Sequence, residues 1–138
     1  MVQLAEPSRD TPSFVPTDRP MPHNLDAEKA VLGCILLDST AAYDLANEVL
    51  GKAGTFYDQR HQRIYEAMTE LAKERGPGSV DVVTVSDYLS NSGRLENAGG
   101  TLYLGELLAG VQTTANVEQY AEIVAQASIL RRLISASI

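Results

Sequence analysis

The C-terminal segment constrains the fold most, because its apolar residues repeat at helical spacing from Asn116 to the end of the chain. At roughly 1.5 Å per residue, the predicted helix is about 35 Å long. A set of apolar residues widens this surface beyond a single stripe: Ile123, Leu130 and Leu133. One short neighbouring helix cannot cover such a rod on both sides, so a further element or partner must pack against it.

Helical spacing also dominates residues 24–76. Asn24, Asp38 and Asp58 each precede an apolar-periodic segment, where an N-cap side chain is favoured. Gly33 lies inside the first of these segments, and a glycine there favours close approach of another helix. His61 falls on the apolar face of the third segment, which is typical of a core histidine with satisfied hydrogen bonds. These three segments are therefore predicted to be helices.

Residues 80–85 are ambiguous, because their β-branched residues alternate with polar ones as in a strand. A single strand without a pairing partner would leave its backbone groups open at both edges. Asp81 is instead predicted to be the N-cap of a helix, in which Val85 and Leu89 face inward. We therefore predict a short helix over residues 82–90.

These segments predict an all-α fold with three regions. Residues 1–21, which are rich in proline, are predicted to be a disordered leader. Residues 22–98 are predicted to form a small globular bundle of about four helices, and residues 99–138 a helical hairpin. The apolar pattern runs on to Ile138 without a stop signal, so we expect the chain to be cut from a longer polypeptide.

Composition excludes several classes of function. The 138-residue chain has 11 basic and 18 acidic side chains, a net charge of −7, which disfavours tight binding to nucleic acid. One cysteine and two distant histidines predict neither a disulfide nor a metal site. No run of apolar residues is long enough for a membrane span, and no signal peptide is visible. A cytoplasmic protein is expected.

Catalytic signatures are also missing. The sequence has no phosphate-binding loop of the Gly-x-x-x-x-Gly-Lys-Ser/Thr type, and no nucleophile is placed beside a base. We therefore expect this segment to have no enzymatic activity and to bind no cofactor. The residues alone indicate a helical interaction module, with a helical DNA-binding module or a regulatory domain of an unrelated enzyme as alternatives.

Six blocks of sequence, in order, resemble one family. They lie at residues 22–33 with 36–38, 56–65, 81–85, 95–100, 103–107 and 114–124. In this pattern the chain resembles the N-terminal domain of bacterial hexameric replicative DNA helicases (DnaB-like). The resemblance covers about residues 22–134 and implies a helical globular part followed by a helical hairpin.

The resemblance also implies function. Such domains pair through their hairpins, assemble as a trimer of dimers and form a collar on a ring of ATPase motors. The collar binds the C-terminal domain of primase and, in some species, takes part in helicase loading. ATP and magnesium are expected in the motor, which the resemblance places beyond a linker after this segment, and the parent protein is expected to unwind duplex DNA at bacterial replication forks, in association with the nucleoid.

Two sets of residues follow as candidate sites. One stripe of the C-terminal helix is predicted to mediate self-association: Val117, Tyr120, Val124, Ala127, Arg131 and Ile134. Tyr103 and Leu104, at the front of the predicted hairpin, are candidate primase contacts, with the hairpin core as their alternative location. No catalytic, cofactor-binding or metal-binding residue is predicted.

Overall fold

The computed structural model describes residues 20–137, and side chains through residue 136. The described part contains six α-helices, in chain order α1 Leu25–Leu37, α2 Ser39–Leu50, α3 Gln59–Arg75, α4 Val82–Asn91, α5 Gly100–Ala109 and α6 Val117–Ser137. Short 3₁₀ helices, Ala53–Thr55 and Pro77–Ser79, follow α2 and α3. No strand occurs among these residues, so the all-α prediction is confirmed. The predicted leader, apart from residues 20 and 21, lies outside the described residues.

The predicted N-caps are confirmed. The Asn24 side chain accepts a hydrogen bond from the backbone N–H of Ala27, 2.9 Å away, at the start of α1. Asp38 and Asp58 accept from backbone N–H groups at the starts of α2 and α3 in the same way. These bonds satisfy donors that a helix start otherwise leaves without partners.

The ambiguous segment is a helix. Asp81 accepts from the N–H of Thr84 at 2.8 Å, and the Thr84 hydroxyl accepts from the N–H of Asp81 at 2.9 Å. This reciprocal pair is a capping box, and it fixes the start of α4 despite the β-branched residues that follow. Val85 and Leu89 are buried, as predicted.

Helix α1 is the centre of the core and packs against α2, α3, α5 and α6. Residues 31–36 are all buried. A Cβ atom on Gly33 would collide with the backbone oxygen of Leu107, so the glycine allows α5 to approach closely, as predicted.

The two helices predicted as a hairpin, α5 and α6, both pack on α1. Helix α6 packs most extensively against α2 and α1, whereas α5 packs against α1 and α4. These helices therefore share one core with the preceding four. None of the helices in residues 20–137 combines the length and the apolarity needed to cross a bilayer.

Candidate functional site

The inner face of α6 is part of the hydrophobic core. Val117, Ala121 and Val124 are at most 1% exposed and belong to the same buried cluster as α1 and α2. Burying such side chains stabilises the fold by about 1.5–3 kcal/mol each for the larger ones. This face holds α6 on the domain.

The outer face of α6 is apolar and open. Ile123, Leu130 and Leu133 are 43%, 51% and 61% exposed. Spaced at three and seven residues, they lie on one side of the helix, roughly opposite the inner face. A row of exposed apolar side chains on one helix is typical of an interaction surface.

The predicted self-association stripe lies mainly on the inner face. Val117 and Val124 are buried in the chain's own core, and Tyr120 packs against that core. Ala127 and Ile134 are half-buried. Helices α1 and α2 cover the first half of this stripe within the single chain. The role of these residues in self-association stays a prediction.

Arg131, the polar member of that stripe, joins three parts of the chain. Its guanidinium donates hydrogen bonds to the backbone oxygens of Pro22 and Thr55, both at 2.8 Å. It also lies 5.4 Å from the ring centre of Tyr57, which stacks on His23 at 4.1 Å. Arg131 therefore fastens the residues before α1 and the Ala53–Thr55 turn to α6.

A buried polar network connects α1, α3 and α5. Glu28, although only 1% exposed, accepts from the backbone N–H groups of Tyr57 and Asp58 at 2.6 and 3.2 Å. His61 Nδ1 lies 2.7 Å from Glu28 Oε1, and His61 Nε2 lies 2.6 Å from the Tyr103 hydroxyl. Every member has a partner, as buried polar groups require. The prediction of His61 as a core residue is confirmed.

The two candidate primase contacts differ in position. Leu104 is fully buried, whereas Tyr103 is 9% exposed at the edge of a cavity of about 370 Å³ between α1 and α5. The Arg60 guanidinium lies 4.2 Å from the Tyr103 ring centre. Burial raises the pKa of the Tyr103 hydroxyl, so this group stays protonated. Both side chains thus have core roles, and primase contact stays a prediction.

Charge around the start of α3 is locally balanced. Asp58 accepts from Arg60 Nη2 at 3.0 Å and from the Arg60 backbone N–H at 2.8 Å. Partial burial favours a higher pKa for Asp58, but these hydrogen bonds outweigh it and the pKa lies below its usual value. No cluster of three or more metal-ligating side chains occurs among the described residues.

Comparison with known proteins agrees with this geometry. Residues 20–126 match the family described as DnaB-like helicase N terminal domain. The chain is 49% identical over 117 residues to "Replicative DNA helicase DnaC" of Bacillus subtilis (strain 168), covering 85% of this chain and 25% of that protein. It is 46% identical over 118 residues to "Replicative DNA helicase DnaB" of Geobacillus stearothermophilus, covering 86% and 25%. The chain thus spans about a quarter of the length of these curated relatives.

A solved structure matches the fold. The crystal structure of the N-terminal domain of DnaB helicase from Mycobacterium tuberculosis superposes with a TM-score of 0.79 and 41% sequence identity, covering 86% of this chain and 81% of that one. This chain belongs to the DnaB-like helicase N-terminal domain family. That membership favours the resemblance over both alternatives drawn from the residues alone.

Proposed function

We propose that this chain is the collar domain of a replicative DNA helicase, where it self-associates and docks other replication proteins. The observation that carries the proposal is the outer face of α6, with three exposed aliphatic side chains on a helix whose other face is in the core. Family membership supplies the context, because relatives of this chain are named replicative DNA helicases.

The apolar composition of the outer face supports self-association through it. Two copies that dock α6 against α6 form a two-fold interface in which the same residues meet. Burial of a few hundred Å² at roughly 25 cal/mol per Å² contributes several kcal/mol before association costs are subtracted. We therefore propose a weak dimer for this chain alone, and a trimer of dimers once a motor ring holds six copies together. In that arrangement Ile134 and Ala127, which are half-buried, lie beside the interface.

The proposed partners are primase, through its C-terminal domain, and in some bacteria a helicase loader. Leu102 is 80% exposed in α5, one residue before Tyr103. The two residues therefore extend from open surface to the edge of the α1–α5 cavity. We propose this surface as the primase contact, with Tyr103 at its buried end. The whole helicase would unwind duplex DNA in the bacterial cytoplasm, and its ATP and magnesium would bind in the motor rather than in residues 20–137.

Light scattering with and without the primase C-terminal domain tests the proposal. We expect the average mass of this chain to rise with concentration toward a dimer, and to rise further when the primase domain is added. A chain that stays monomeric at every concentration and does not bind the primase domain would contradict the proposal.

A pair of surface variants separates primase contact from folding. Leu102→Asp should weaken primase binding at least about tenfold, since a charge enters an apolar contact. Val83→Asp is the matched control, because Val83 is 75% exposed on α4. Both variants should keep the wild-type circular dichroism and thermal midpoint, and equal loss of binding in both would refute the assigned surface.

A further inference from the structure

A groove separates the Ala53–Thr55 turn from the C-terminal half of α6. Its volume is about 740 Å³, and a second cavity of about 310 Å³ continues it along α6 toward the end of α2. Both cavities share Lys52, Thr55, Ser128 and Arg132. The groove is large enough to receive side chains from a peptide segment.

The groove is positively charged in an acidic protein. Lys52, Arg131 and Arg132 line it, and none of its lining residues within the described chain is acidic. The Arg131 guanidinium donates hydrogen bonds to two backbone oxygens. These oxygens carry no net charge, so they do not neutralise the guanidinium. Lys52 and Arg132 form no ion pair with any residue between 20 and 136, although the whole sequence has 18 acidic against 11 basic side chains. The groove is therefore a local region of positive charge that attracts negatively charged groups.

Ser128 lies where the two cavities meet. This residue is 6% exposed, and its side chain lines both cavities. A serine hydroxyl can donate a hydrogen bond, and Ser128 shares the lining of both cavities with Lys52 and Arg132.

We propose that Lys52, Ser128 and Arg132 form a carboxylate-binding groove that receives an acidic segment of a partner protein. Carboxylates accept hydrogen bonds from guanidinium, ammonium and hydroxyl groups together. Ile129, which is 46% exposed, and Val49 provide an apolar wall for the aliphatic part of such a segment. The occupant is a peptide in which Asp or Glu alternates with aliphatic residues.

A peptide fits the groove better than a nucleic acid. A phosphate backbone requires a row of cations that extends over many nucleotides, and three cations at one groove do not provide it. The net charge of −7 also repels a polyanion over the rest of the surface. The inference is independent of the proposed primase contact, which involves α1 and α5.

Fluorescence anisotropy with the 138-residue chain tests the groove. The probe is a short labelled peptide of Glu, Leu and Ala, and the comparison peptide has Gln at each Glu position. We expect the Glu peptide to bind about tenfold or more tightly than the Gln peptide, with affinity that falls as salt increases. Equal affinity for the two peptides, or no binding of either, would overturn the proposal.

Charge-reversal variants locate the binding. Arg132→Glu and Lys52→Glu should each abolish the preference for the Glu peptide, and Ser128→Ala should reduce it severalfold. Lys73→Glu is the matched control, because Lys73 is an exposed lysine on α3 that pairs with Glu70 and lies outside the groove. A loss in Lys73→Glu equal to that in Arg132→Glu would show a general charge effect. Tighter binding of a single-stranded oligothymidylate, lost in the same two variants, would replace the peptide by nucleic acid and refute the assignment.

Discussion

The inner and outer faces of α6 are made of similar aliphatic residues and have different environments. Val117 and Val124 on the inner face are buried against α1 and α2, whereas Leu130 and Leu133 on the outer face are more than half exposed. The same helix therefore holds the fold with one side and offers an apolar surface with the other. Apolar spacing alone locates both faces, but only the packing of α1 and α2 distinguishes them.

This difference has an energetic consequence. A polar substitution on the inner face removes core contacts that the folded state requires, so it acts on the free energy of unfolding. A polar substitution on the outer face leaves those contacts intact and acts on association. Variants on the two faces should therefore separate stability from self-association.

The largest effect on stability is expected for Val124→Asp. It places a carboxylate without a partner among α1 and α2, and we expect a loss of about 3–5 kcal/mol in the free energy of unfolding. Urea denaturation followed by circular dichroism measures the loss. A midpoint close to wild type would show that Val124 is not in the core.

A smaller loss is expected for Glu28→Gln. The amide group retains the shape of Glu28 but cannot accept all the hydrogen bonds from Tyr57, Asp58 and His61, so we expect a loss of about 1–3 kcal/mol. Glu48→Gln, at an exposed position of α2, is the control and should change stability by less than about 0.5 kcal/mol. Equal urea midpoints for the two variants would argue against the network.

Loss of the capping box in α4 should cost about 1 kcal/mol in Asp81→Ala. The reason is that the N–H of Thr84 loses its acceptor at the helix start. Asp44→Ala, at an exposed interior position of α2, removes an acidic side chain without a cap and serves as the comparison. The thermal midpoints of the two variants are compared. A lower midpoint in Asp81→Ala shows that the cap stabilises the fold, whereas equal midpoints would show only an effect of the lost charge.

The smallest effect on stability concerns pH. The pKa of Asp58 is lowered in the folded chain, so its ionised form stabilises the fold above the ordinary Asp pKa of about 3.9. This contribution is lost as the pH falls below that value and through the lower pKa of the folded state. Asp58→Asn should therefore flatten the acid limb of the stability curve. An acid limb identical to that of wild type would contradict the shift.

Local features of the fold could be predicted from sequence, and contacts between distant residues could not. Asn24, Asp58 and Asp81 act within a few residues of themselves, so the cap pattern is sufficient to identify them. Arg131, in contrast, bonds to residues 109 and 76 positions earlier. No local pattern identifies such partners.

Two polar residues at apolar positions of the sequence indicate the buried network. Glu28 lies on the apolar stripe of α1, where a carboxylate is costly unless it finds donors. His61 lies on the apolar face of α3 in the same way. Their spacing indicates that both are buried, but only the packing of α1 on α3 shows that they bond to each other.

Sedimentation equilibrium of wild type and Leu130→Asp over a wide concentration range tests the central claim most directly. We expect the wild type to self-associate and Leu130→Asp to remain monomeric, while its urea midpoint corresponds to a change below about 0.5 kcal/mol because the outer face lies outside the core. Self-association that survives in Leu130→Asp, at unchanged stability, would contradict the assignment of the outer face as the interface.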